Sequence, residues 1–166
     1  MKKLITLAVV AAFALVGCKH TPKPEEVRTL AYNAGVAAGV VVNYRQLPAE
    51  TVNKIIEVVD VVGQVIPEEG KTWEEAWTVA ADEIIAKFVE EGKLQPDQAV
   101  LVKYGVQMAG KTLDFVFKRY PKWGESKELV SAAVNGLCSG FKDTVKTPNA
   151  RADRADPAVL KYLQGK

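Results

Sequence analysis

The chain has 166 residues, 48% of them hydrophobic and 25% charged, with 12 Gly, 8 Pro and 2 Cys. That length fits one domain, and the composition excludes a disordered chain, a collagen-like repeat and a disulfide-dense miniprotein. The formal charge of +2 is too small an excess for a protein that must displace counterions from nucleic acid, so nucleic acid is not an expected partner.

Lys2 and Lys3 precede a run over residues 4–16 that is apolar except for Thr6. A membrane-crossing helix needs roughly 20 apolar residues, so this shorter run reads as the core of an export signal. It ends in Leu15-Val16-Gly17-Cys18, and here the chain resembles the precursors of bacterial lipoproteins. Their lipobox is an aliphatic residue, a small or aliphatic one, Gly or Ala, then an obligatory Cys.

The resemblance implies that Cys18 receives a diacylglycerol, that cleavage falls between Gly17 and Cys18, and that the new amino group is acylated. It further implies a membrane anchor on the periplasmic face. Lys19 stands where Asp would favour retention in the inner membrane, which favours the outer one. The resemblance covers residues 1–18 and implies nothing about activity. The expected organisation is a cleaved signal over 1–17, a lipidated Cys and tether over 18–23, a helical domain over 24–147, and a loose segment with a short helix over 148–166.

The mature chain then has 20 basic and 20 acidic residues, unevenly placed. Residues 50–97 hold four basic and twelve acidic side chains, and residues 98–166 hold twelve basic and six acidic ones. The expectation is that acidic helices pack beside basic ones and offset their charge; the alternative is two opposed charged faces that dock a partner or anionic lipid.

In chain order, Pro24 opens a helix with Glu25 and Glu26 in its first turn, where the dipole favours acids. Ala31, Gly35 and Gly39 recur every four positions, a stripe for close packing against a neighbouring helix. Pro48 begins a second helix with Val52, Ile55, Ile56, Val59 and Val62 on one face, ended by Gly63. Thr72 and Glu75 form a capping box for a third, running to Gly92. Within it, Glu83 and Lys87 have the spacing of a surface ion pair.

Pro96 starts a fourth helix that breaks at Tyr120-Pro121. Ser126 caps a fifth, over residues 127–146, and Asp156-Pro157 starts a short last one. With no period-2 run, the expected fold is all-α, a single compact bundle of about five main helices plus a short C-terminal one.

Catalytic signals are absent from this pattern. His20, beside the lipidation site, is the only histidine, which removes Ser–His–Asp and Cys–His chemistry and most zinc sites, so no metal or cofactor is expected. Cys138 lies in an apolar helical pattern and reads as a buried, inert thiol. The adjacent carboxylates Glu68/Glu69, Glu74/Glu75, Asp82/Glu83 and Glu90/Glu91 do not face one another on a helix, so they are poor acid/base pairs.

Two features point to binding instead. Lys118, Arg119, Tyr120, Lys122 and Trp123 concentrate cations and amphipathic aromatics in one turn; the favoured reading is a helix end whose aromatics cap the core, and the alternative is a membrane contact. Trp73 and Trp77, four apart, share a helix face; the favoured reading places the pair in the core, and an exposed pair is the candidate partner surface. The reading is a non-enzymatic, lipid-anchored binding or scaffold protein of the bacterial envelope, with the membrane and an envelope protein as partners. The alternatives are a phage-encoded lipoprotein that alters the host envelope and a carrier of a small apolar ligand lodged among Ala, Gly and Met108.

Overall fold

A computed structural model describes residues 22–147 and 152–165. The signal, Cys18, His20 and residues 148–151 lie outside the described residues. The fold is all-α, with no strand among the described residues. Among the described residues six helices make a bundle: α1 Pro24–Asn43, α2 Ala49–Val62, α3 Trp73–Glu90, α4 Pro96–Arg119, α5 Lys127–Lys146 and α6 Pro157–Leu163. The 3-10 turn Pro121–Glu125, not anticipated from the sequence, joins α4 to α5, and a second 3-10 turn, Ala152–Arg154, precedes α6.

The helix starts follow local chemistry. Pro24, Pro96 and Pro157 occupy first-turn positions, where a missing N–H costs nothing. Ser126 Oγ accepts from Leu129 N at 3.2 Å and Asp156 Oδ1 from Ala158 N at 2.8 Å. At the head of α3, Thr72 Oγ1 accepts from Glu75 N at 3.1 Å while Glu75 accepts from Thr72 N at 2.9 Å. Two more amide donors there, Trp73 N and Glu74 N, go to Asp114 of α4, at 2.7 and 3.1 Å. Most of α3's orphan donors are thus satisfied, and its start is fastened to α4. Burial pushes the Asp114 carboxyl up from its ordinary value, against the pull of those two amides.

The largest contact in the bundle joins α1 to α5, which lie parallel. Gly136 approaches Arg28, Gly140 approaches Tyr32, Gly35 faces Leu137 and Phe141, and Gly39 faces Thr144. A Cβ on Gly35, Gly136 or Gly140 would stand 2.0–2.3 Å from a backbone carbonyl oxygen of the other helix. Backbones can come this close only where side chains are missing, which is what two Gly-x-x-x-Gly stripes supply. Asn43 Nδ2 donates to Thr144 O at 2.8 Å and pins the far end of the pair. Helices α2–α4 provide the long connection that a parallel pair needs.

Side-chain contacts set the directions of α3 and α4. Arg45 stacks over Tyr104, while Asn33 and Tyr120 line one groove, so α4 is antiparallel to α1. Lys103 pairs with Asp82 and Lys111 with Glu74, making α3 and α4 an antiparallel hairpin. The start of α1, the end of α4, the turn Pro121–Glu125 and the start of α5 therefore share one end of the bundle. Lys23 joins the fold at that end.

The core gathers Val27, Val36, Val42, Ile55, Val59, Trp77, Val102, Leu113, Leu137 and Phe141, each fully buried. No helix among the described residues is long and apolar enough to cross a membrane.

Cys138 is buried on α5 beside Gly63. Burial pushes its thiol up to about 12, with Lys142 pulling the other way and Asp60 adding slightly. The folded chain therefore keeps this proton where the unfolded chain, with a thiol near 9.0, loses it. Stability is lost as pH rises from about 9 toward about 12, by about 1.4 kcal/mol per unit from this group. Urea unfolding across that range is expected to show the stability difference between wild type and Cys138→Ala shrinking by that slope. A pH-independent difference would show that the thiol is solvated in the folded chain.

Candidate functional site

Charge pairing partly consumes the polarity of the sequence. Asp60 pairs with Lys142, Glu74 with Lys111 and Asp82 with Lys103, each joining the acidic 50–97 segment to the basic 98–166 segment. Three further pairs, Lys54–Glu57, Lys71–Glu68 and Lys93–Glu91, are local to the acidic segment. The predicted Glu83–Lys87 pair does not form; its neighbour Asp82 reaches across to Lys103 instead. All six pairs are solvent-accessible and individually worth little.

Burial decides between the two readings of Trp73 and Trp77: the pair packs with the core and is not a docking face. Trp77 is fully buried and its Nε1 donates to Val65 O at 3.1 Å. Trp73, half-buried, meets Trp77 edge-on at 6.2 Å and stacks on Phe117 at 5.2 Å. The two indoles share a face, as their spacing requires, and that face is turned onto α4. Met108 and the glycine stripes are likewise core contacts. Between the glycine stripes the close approach of α1 and α5 leaves no room for a cargo.

The cationic turn divides in two. Trp123 is only 3% exposed and stacks on half-buried Tyr120 at 4.4 Å, so this tryptophan caps the core, the favoured of its two readings, and is not a membrane anchor. Lys118, Arg119 and Lys122 remain exposed. Among the described residues none of the three takes part in an ion pair, and Arg119 lies over the Tyr120 ring at 5.6 Å.

A surface the sequence reading missed adjoins the tryptophan pair. A groove of about 510 Å³ runs between the α2–α3 connection and the outer face of α3. Val65, Ile66, Ala76, Val79 and Ala80 give it an apolar floor, and Glu68, Glu75 and Glu83 rim it. Ile66 is 64% and Val79 62% exposed. The available signal was Val79 and Ala80, which interrupt the polar side of α3 two and three residues beyond the buried Trp77.

Lys71 also lines the groove, but it is tied to Glu68 at 2.8 Å and offsets only one acid. The Lys71 ammonium holds the Glu68 carboxyl below its usual range, and the Thr72 amide does the same for Glu75. Both rim acids are therefore ionised at neutral pH. An apolar floor inside an acidic rim favours a segment with apolar anchors flanked by Lys or Arg.

Among the described residues no group of three or more His, Cys, Asp or Glu is placed to hold a metal ion. The paired acids serve the fold: Glu75 caps α3, while Glu74, Asp82, Glu68 and Glu91 bind lysines. No protein-family model, curated protein or solved structure matches the chain.

Proposed function

We propose that this is a lipid-anchored, non-enzymatic binding or scaffold protein on the periplasmic face of a bacterial membrane, the outer one favoured, tethered through Cys18. Its partner is an envelope protein that presents an apolar segment flanked by basic residues. The observation that carries the binding role is the groove itself: two apolar side chains more than 60% exposed, side by side inside an acidic rim. The lipobox resemblance supplies the anchor. The exposed cations Lys118, Arg119 and Lys122 support membrane proximity, because they share the bundle end where Lys23 enters the fold, and each is worth roughly 1 kcal/mol beside an anionic surface.

A photo-crosslinking side chain at position 79, in the native membrane, tests this reading. The expected result is one discrete crosslinked product that is lost when Glu75 and Glu83 are both changed to Lys. The same probe at Val100, exposed on α4, is expected to give no such product. Identical products from both sites, or a product indifferent to charge reversal, would refute the groove as the docking surface. Unchanged processing and membrane association in Cys18→Ala would refute the anchor.

A further inference from the structure

A second groove, of about 390 Å³, lies where α6 crosses α1 and the end of α4. Leu30, Ala155, Pro157 and Ala158 line its apolar part, and two arginines, Arg119 and Arg154, line it from segments 35 residues apart. Neither arginine has an ion-pair partner among the described residues. Asp156, the one acid lining the groove, directs Oδ1 to Ala158 N at 2.8 Å and Val159 N at 3.4 Å, which offsets its charge at the head of α6.

The groove is held open by backbone. Asp156 N donates to Asn33 O at 3.2 Å, and Tyr162 packs on Phe115 at 4.8 Å, so α6 is fixed across α1 and α4 at both of its ends. Leu30 remains 40% exposed in the floor. Lys118 and Lys122, both exposed, flank Arg119 along the chain.

We infer that this groove binds a phosphate ester, its phosphate held between Arg119 and Arg154 and its apolar portion lying along Leu30, Ala155 and Pro157. The planar guanidinium fork matches phosphate oxygens two at a time, which a lysine cluster cannot do. The apolar floor next to the cationic rim matches an anionic phospholipid, whose phosphodiester adjoins glycerol and acyl carbon. A soluble phosphate ester shares the first half of that chemistry and not the second. The inference does not depend on the Ile66/Val79 groove, and its test reads no partner protein.

The full chain in a non-ionic detergent is titrated with short-chain phosphatidylglycerol, glycerol 1-phosphate and inorganic phosphate, following the Arg side-chain N–H and the amide signals of residues 155–158 by NMR. The expected result is a saturable shift with phosphatidylglycerol, weakened roughly tenfold by Arg119→Gln and again by Arg154→Gln. Lys87→Gln, an exposed cation at the far end of α3, is expected to change nothing. Equal affinity for glycerol 1-phosphate would uphold the phosphate site and identify its ligand as soluble. No saturable shift with any of the three probes would overturn the inference, as would a loss in Lys87→Gln equal to that in Arg119→Gln. Both arginines are exposed, so the variants keep the fold, checked by an unchanged helical signal.

Discussion

Replacing Gly140 with alanine is expected to cost about 3 kcal/mol or more, a large share of the roughly 5–15 kcal/mol that holds a domain together. The added Cβ would stand 2.0 Å from Tyr32 O, 2.9 Å from Tyr32 C and 3.1 Å from Val36 N. All three are backbone atoms of α1, and none can rotate away as a side chain would. The helices must separate, and separation strips contact from Leu137, Phe141 and Thr144, which meet Gly35 and Gly39 along the same seam. Gly105→Ala is expected to cost less, because its Cβ would meet only the Ile55 side chain. Gly124→Ala meets nothing within 4 Å and is expected to stay within about 0.5 kcal/mol of wild type. Urea unfolding of the three variants checks the order. A Gly140→Ala protein as stable as Gly124→Ala would mean that α1 and α5 do not touch through their backbones.

The helix boundaries were legible because they are set locally. Pro24, Pro48 and Pro96, the Thr72/Glu75 box, Ser126 and Asp156 act within one turn of where they stand, and each marks a start where the spacing put it. Gly35 and Gly39 likewise announced a close neighbour. That the neighbour is α5 was written in Gly136 and Gly140, at the same four-residue interval, but spacing within one helix does not name its mate or make the pair parallel.

Charge was less legible for a related reason. The rule for residues four apart selects Glu83 and Lys87, whereas the α3–α4 hairpin brings Lys103 to Asp82, and tertiary proximity wins. The functional surfaces were hardest. Exposed Val79 and buried Trp77 are two residues apart, and only the placement of α4 decides which of them faces water. Arg119 and Arg154 share a groove because Asn33 and Phe115 hold α6 across α1 and α4.

The distinction between Trp77 and Val79 gives the second large expectation. Trp77→Ala removes a fully buried indole from the core, at a cost of about 3–5 kcal/mol, and leaves Val65 O without the donor it has at 3.1 Å. Trp77→Phe keeps most of the ring packing and loses the N–H, so about 1–2 kcal/mol is expected. Trp73→Ala should fall between them, since Trp73 is half-buried and its stacking on Phe117 is lost. Val79→Glu, on the exposed side of the same helix, should leave unfolding within about 0.5 kcal/mol of wild type while placing a fourth acid in the apolar floor of the groove. Thermal unfolding and partner crosslinking from the Ile66 side of the groove, measured on the same variants, separate the two roles. Trp77→Ala is expected to lose crosslinking only as it loses helical signal, and to recover it on cooling below its lowered Tm. Val79→Glu is expected to lose crosslinking with its Tm intact. The reverse pattern, a stable Trp77→Ala that no longer crosslinks and a Val79→Glu that still does, would return the docking face to the tryptophans and remove it from the groove.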